Sequence, residues 1–197
     1  MFLMDTIRAR NARFRQLTNE QQEIIIGSLL GDGYLVATTR GYAFRVNHSI
    51  AQQAYVDWKY DFLKEFTNSK PRIYQNSYYF RTVSHPFFEK LRYEFYVGKR
   101  KRVPRQLSKW ISPLILSVWL MDDGARDKGQ LRLNTQCFSR EENQTLVGIL
   151  EAKLGISATL NRDKKQFRLR VKEVSMPRVR QLVSRYLLPS MQYKLSP

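Results

Sequence analysis

Two short turns in the 197-residue chain place acidic residues where acid is electrostatically unwelcome. Asp32, in LLGDGY, and Asp123, in LMDDGA, each close an apolar stretch with helical patterning and precede a glycine. The C-terminal end of a helix is already negative, so a carboxylate there is repelled unless a cation is present. Two such ends brought together would cluster carboxylates with main-chain carbonyls that lack an intrahelical donor. Hard oxygen ligands of that kind suit Mg²⁺. Paired divalent ions can activate a water and stabilise the leaving oxygen of a phosphodiester. Either turn alone is most simply an ordinary helix end. Both together, each followed by a strand pattern in a strongly basic chain, point to metal-assisted phosphodiester chemistry.

Bringing the two turns together requires two apolar helices in close contact. Gly27 and Gly31, one turn apart, would let a partner helix approach closely. The chain also echoes itself: Arg45 and Asn47 recur as Arg132 and Asn134 at one constant offset, each pair on a strand pattern followed by a helix pattern. A repeat this long is a duplicated domain rather than a solenoid. Each half reads helix, two strands, helix, two strands, helix. In the first half, Thr18 and Gln21 form a capping box that opens the first helix. A strand follows at 43–49, then an amphipathic helix at 51–66, a hairpin of 72–75 with 78–83 around Asn76–Ser77, and a helix at 86–96. In the second half, Ser112 and Pro113 start a helix to Met121. A strand at 130–138, a helix opened by Ser139 and Glu142 and closed by Gly155, strands at 157–161 and 166–172, and a helix at 177–187 complete it.

Composition narrows the function. Lys and Arg number 34 against 17 Asp and Glu, a formal charge of +17, while 43% of the chain is apolar and 13% aromatic. That is a folded protein with a field suited to a polyanion: DNA, RNA or an anionic membrane surface. The last is disfavoured because no exposed amphipathic helix stands out, and no apolar run approaches the ~20 residues of a membrane span. The single Cys137 excludes an internal disulfide and a cysteine zinc site. MFLMDTIRARNARFRQ has no signal-peptide core; it reads as a basic DNA-binding arm or a plain surface helix rather than a targeting segment. There is no Ser/His/Asp set and no phosphate-cradling glycine loop. His48 reads as a buried structural histidine and His85 as a helix start. Tyr55, Trp58, Phe87, Phe88 and Trp119 lie at helical spacing and read as core.

The segments IIGSLLGDGYL (25–35) and LSVWLMDDGAR (116–126) resemble the paired signature helices of LAGLIDADG homing endonucleases. The resemblance is to the single-chain group that includes the yeast mitochondrial omega intron endonuclease. KRVPRQL (101–107), LRLNTQCFSREE (131–142) and PSMQYKL (189–195) match the same group, so the likeness runs from about Leu17 onward. The second signature carries Val118 where the first has Gly27, a departure in helix packing and not at the acids.

This resemblance implies an α+β fold, a pseudo-twofold duplicated αββαββα, with two antiparallel sheets forming a saddle for the DNA major groove. It implies a monomer that cuts both strands of a long, non-palindromic site across the minor groove, leaving 3′ overhangs. Asp32 and Asp123 take the metal positions, with Gly31 and Asp122 offering a main-chain or side-chain oxygen. Mg²⁺ is the expected metal, with Mn²⁺ as a substitute and Ca²⁺ as an occupant that does not support cleavage. Lys101 and Lys194 match basic residues near the scissile phosphates. The residues alone leave Lys101 equally readable as a generic phosphate clamp and Lys194 as a terminal lysine. The alternative function is an RNA maturase acting on intron RNA, or a non-catalytic DNA-binding protein of the same fold. The family setting is a bacterial cytoplasm or an organelle.

The strand faces agree with DNA binding. Arg45, Asn47, Arg72, Tyr74, Arg81, Gln130, Arg132, Asn134, Gln136, Arg168 and Arg170 are the candidates for reading base edges. Alternation alone equally describes a solvated sheet face, and the excess of Arg over acids favours readout. Asn47 and Asn134 stand either among the readers or close to the active sites. The basic run 99–109, with Lys99, Arg100 and Arg102 around Lys101, reads as a phosphate-tracking linker. The expected organisation is a basic arm at 1–16, a first half at 17–98, a linker at 99–111 and a second half at 112–197.

Overall fold

The first signature helix starts where its capping chemistry requires. The Thr18 hydroxyl accepts from the Gln21 amide, and the Gln21 side chain accepts from the Thr18 amide in return. In the computed structural model, which describes residues 7–127 and 130–195, this helix runs Asn19–Leu30. It follows a short helix, Ile7–Phe14, so in chain order these are α2 and α1. The rest of the first half comprises β1 (Tyr34–Thr38), β2 (Gly41–Ser49), α3 (Gln53–Leu63), β3 (Arg72–Tyr74), β4 (Ser77–Arg81) and α4 (Pro86–Phe95). The connection holds β5 (Tyr96–Val97), β6 (Arg100–Lys101) and α5 (Leu107–Trp110). The second half comprises α6 (Pro113–Asp123), β7 (Gly124–Asp127), β8 (Gln130–Leu133), α7 (Arg140–Leu154), β9 (Ala158–Asp163), β10 (Gln166–Val171) and α8 (Met176–Val183).

The duplication is visible in the sheets. The first orders its strands β1-β2-β4-β3 and the second β7-β8-β10-β9, with every pairing antiparallel. Each half is αββαββα, as the repeat predicts. Ile24–Leu30 of α2 and Leu114–Asp122 of α6 are buried without interruption. Helices apolar on all sides have no solvent face, and these two pack on each other at the centre.

Their contact depends on missing side chains. A Cβ added at Gly27 would lie 2.7 Å from Val118 Cβ and 2.8 Å from the Ile115 carbonyl oxygen; one added at Gly31 would lie 2.4 Å from Asp122 Cβ. At both levels α2 supplies a glycine and α6 a side chain that fills the space. The Val118 departure is thus the complement of Gly27.

Two expectations are corrected. The strand predicted over 130–138 stops at Leu133. Buried Asn143 on α7 donates to the carbonyls of Thr135, Phe138 and Ser139, and Thr135 Oγ1 accepts from the Leu169 amide. These bonds turn the chain, so Asn134 and Gln136 lie beyond the strand instead of on its face. The helix predicted to Leu187 ends at Val183. Of the two readings of the basic N-terminal segment, its described part has the surface helix: α1 buries Ala9 and Ala12, and Arg15 pairs with Glu65. Residues 1–6 of the predicted arm lie outside the described residues.

Gly27→Ala is expected to destabilise the fold by about 1–3 kcal/mol through overpacking. Gly148→Ala, at an open position on α7 with nothing within 4 Å of the added Cβ, is expected to stabilise it by about 0.4–1 kcal/mol. Urea denaturation of both variants checks the contrast; shifts of the same sign would contradict close packing at Gly27.

Candidate active site

The glycine contacts bring the ends of α2 and α6 together, and with them three acids and three lysines. Gly31 caps α2, so Asp32 stands just past the helix, while Asp123 is the last residue of α6. Asp32 is half exposed and Asp123 partly buried. Burial pushes both carboxyls up, reinforced at Asp32 by the charge of Asp122 and at Asp123 by those of Asp32 and Asp122, and Asp123 rises to about 8.

Lys101 and Lys194 sit on the carbonyls of the two helix ends in matching fashion. Lys101 Nζ donates to the Gly31 and Gly33 oxygens at 2.6 and 2.7 Å. Lys194, carried by the turn Pro189–Lys194, donates to the carbonyls of Met121 and Asp122, the latter at 3.0 Å. Burial lowers the proton affinity of both amines. Each helix end, left with unpaired carbonyls by its geometry, is therefore served by one ammonium group.

Asp122 behaves differently from its neighbour. Its side chain is fully buried. Oδ1 accepts from Lys59 Nζ and from the Tyr55 hydroxyl, both at 2.7 Å. Oδ2 accepts from the Asp32 main-chain amide at 3.2 Å. Both carboxylate oxygens of Asp122 are thus engaged by protein donors, and its carbonyl accepts from Lys194. Gly31 has only its carbonyl to give. Among the described residues, no group of three or more His, Cys, Asp or Glu side chains forms a metal-holding cluster. A cation at either Asp32 or Asp123 must complete its shell with main-chain, water or phosphate oxygens.

Lys59 and His48 escaped the sequence reading as site residues. Lys59 on α3 is fully buried, its amine 4.2 Å from the centre of the Tyr55 ring. Burial pushes its pKa down while the Asp122 carboxylate holds it up. The signal was present: Tyr55, Lys59 and Leu63 share one helix stripe, so a lysine interrupts an apolar face. His48 is buried as expected, but its Nδ1 lies 3.7 Å from Asp32 Oδ2 and its Nε2 3.6 Å from Asp122 Oδ1. Burial and nearby Lys59 lower it to about 4, so it is a neutral imidazole at physiological pH. His85 caps α4 as predicted: Nδ1 accepts from the Phe87 amide, and Nε2 faces the Arg15 carbonyl.

Strand register sorts the remaining candidates. Arg45 lies directly opposite Arg81, and Asn47 opposite Tyr79, which in turn faces Arg72. These residues share one face of the first sheet with exposed Tyr74, and the Arg45 guanidinium lies 4.6 Å from the centre of the Tyr79 ring. In the second sheet Arg132 lies directly opposite Arg170, on the face that carries Gln130 and Arg168. Like charges directly across a strand pair repel, and both sheets repeat that arrangement. Asp163 tempers the second face, lying 3.4 Å from Arg168 and accepting from Gln136 at 2.9 Å. Asn134 is exposed past the strand end, its amide bonded to the Asp123 carbonyl.

The linker is less free than its composition suggests. Arg100 pairs with Glu142, and Arg102 donates to the carbonyls of Tyr93 and Glu94. Lys101 turns inward as described, and Lys99 is exposed. A separate open pocket, lined by Asn19, Glu23, Trp110 and Ile115 among others, lies at the opposite ends of α2 and α6 and shares no residue with the acidic cluster.

Comparison with known proteins places this arrangement in a family. Residues 22–179 match the model of the LAGLIDADG DNA endonuclease family. The chain is 31% identical over 196 residues to the cytochrome b mRNA maturase bI2 of Saccharomyces cerevisiae, covering 87% of this chain and 46% of that protein. It is 26% identical to the DNA endonuclease I-ChuI of Chlamydomonas applanata, covering 91% of this chain and 96% of that one. Among solved structures, the homing endonuclease I-WcaI bound to its DNA recognition sequence superposes with a TM-score of 0.89 at 24% identity, covering 100% of this chain and 96% of that one. This likeness shows the fold. The chain spans under half the length of the yeast maturase.

The raised carboxyl has a consequence for stability. A free Asp loses its proton near 3.8, whereas folded Asp123 keeps its proton up to about 8. Between these values the native state binds more protons than the unfolded one, so stability without divalent cations falls as pH rises through the window. Asp123→Asn is expected to raise the melting temperature at about pH 8 by roughly 2–4 °C and to flatten the decline from lower pH. Calorimetry in chelator checks this; an unchanged melting temperature would contradict the clustering of charge.

Proposed function

The chain belongs to the LAGLIDADG DNA endonuclease family, and from that premise we propose that it hydrolyses both strands of double-stranded DNA at a long, non-palindromic site. The observation that carries this reading is the pairing at the helix ends. Two carboxylates, each held at proton affinities above their ordinary range, stand beside carbonyl oxygens that already draw buried ammonium groups. The site gathers these oxygens at two helix ends that are themselves negative. Its donors are all oxygen, which fits a hard divalent ion, Mg²⁺ foremost with Mn²⁺ as a substitute. Asp32 would hold one such ion at the end of α2 and Asp123 another at the end of α6, aided by the Gly31 and Asp122 carbonyls at those ends. When bound, the metal lowers the pKa of a coordinated water and offsets charge on phosphate oxygens.

The protein groups have their own tasks. Lys101 and Lys194 have proton affinities lowered by burial, which suits an amine that offsets charge at a scissile phosphate or holds a proton near it. The two sheets supply recognition. Arg45 facing Arg81 and Arg132 facing Arg170 gather positive charge on each sheet face, and Arg is the commonest reader of guanine in the major groove. The sheets differ in sequence, so the two half-sites differ. Lys99, Arg72 and Tyr74 are exposed and free to meet phosphates or bases. The family resemblance supports a monomer and 3′ overhangs.

Likeness to a protein named as an mRNA maturase supports a second reading, assistance to splicing of intron RNA. Retention of both acids favours cleavage.

Incubating the protein with randomised DNA and Mg²⁺, then sequencing the cleaved ends, tests the proposal and yields the site and overhang together. Asp32→Asn or Asp123→Asn is expected to reduce double-strand cleavage by at least about 10²–10³-fold while DNA binding persists; cleavage at the wild-type rate would overturn the metal assignment. Binding is expected to weaken by roughly 10³–10⁵-fold between 50 and 200 mM salt, and a flat response would overturn recognition by the basic sheet faces.

A further inference from the structure

The two halves of the catalytic centre are not equivalent, and the difference traces to one residue outside the signature helices. Lys59 crosses from α3 of the first half to Asp122 of the second, with both side chains fully buried and 2.7 Å apart. Nothing mirrors it. The buried positions of α7, the counterpart of α3, are Asn143, Leu146, Leu150 and Leu154, none of them charged. Gly31 holds the position that matches Asp122, and a Cβ there would stand 2.4 Å from Asp122 Cβ. The first signature therefore has no room for a reciprocal carboxylate, and the asymmetry is enforced by packing.

That asymmetry reaches the proposed metal ligands. Asp122 Oδ1 is engaged by Lys59 and Tyr55, which aims Oδ2 at the main-chain amide of Asp32. Asp32 stands past the end of its helix, so this tether across the pseudo-twofold contributes to its placement. Asp123 needs no such help. It belongs to the last turn of α6, and its carbonyl accepts from the Asn134 amide within its own half.

We propose that Lys59 is a positioning residue that holds Asp32 in place through Asp122, so that it governs hydrolysis of one DNA strand and leaves the other largely independent of it. This rests on the endonuclease reading above. A role confined to folding would lower cleavage of both strands by the same factor, since every unfolded molecule loses both sites.

Strand-resolved, single-turnover cleavage separates these outcomes. The substrate is a duplex carrying the site recovered from randomised DNA, with each strand labelled differently. Lys59→Met is measured beside Lys59→Met combined with Asp122→Leu. The double variant replaces the buried pair with apolar groups of similar volume, a change that commonly preserves folding, and it too lacks the tether to Asp32. In both variants one strand is expected to be cut about 10²-fold more slowly, the cost of a misplacement near 1 Å. The other strand proceeds near the wild-type rate, so a nicked duplex accumulates with the same strand intact in every molecule and DNA affinity unchanged. If Lys59→Met does not fold, the double variant alone decides. Equal slowing of both strands, or wild-type rates on both, overturns the proposal. A wild-type chain that cuts neither strand overturns the endonuclease reading itself, an outcome recognised without any variant.

Discussion

The close approach of two apolar helices governs everything else in this molecule. Gly27 and Gly31 leave α2 without side chains where α6 presents Val118 and Asp122. The resulting contact sets the distance between two helix ends, and with it the distance between Asp32 and Asp123. Each sheet begins immediately after one of these ends, β1 at Tyr34 and β7 at Gly124. The same contact therefore also fixes where the two polar sheet faces stand relative to the acids.

What that contact concentrates is charge that neither helix tolerates alone. Three carboxylates meet two helix C-termini, and three lysines converge on them. The lysines divide the work. Lys101 and Lys194 serve main-chain oxygens, whereas Lys59 serves a buried carboxylate. A buried ion pair gives little net stability over an apolar substitute, although removing one partner costs about 3–5 kcal/mol. The worth of Lys59 and Asp122 is better sought in geometry, because together they orient an acceptor toward the Asp32 amide.

Local chemistry made much of this legible in the sequence. The capping boxes at Thr18–Gln21 and Ser139–Glu142 both form as written, as do the Ser112–Pro113 start and the left-handed Gly155 stop. The two acids declared themselves because a carboxylate beside a helix C-terminus needs a reason. The misplaced features depend on contacts between distant segments. The end of β8 is decided by Asn143 on the next helix, which takes carbonyls that a longer strand would have used. Arg100 and Arg102 read as free phosphate ligands until the fold supplies Glu142 and the end of α4. Lys59 was overlooked because its partner lies across the pseudo-twofold, yet its place in the Tyr55–Leu63 stripe was already anomalous.

The most direct test of the central claim is to locate the metal. Crystals of the protein with its target DNA, grown with Mn²⁺, would reveal the ion by anomalous scattering. Density is expected at the Asp32 and Asp123 carboxylates, beside the two helix ends and the scissile phosphates. Ordered DNA on the two sheets with no anomalous density at these acids, or with the ion bound elsewhere, would contradict a catalytic centre built from the paired helix ends.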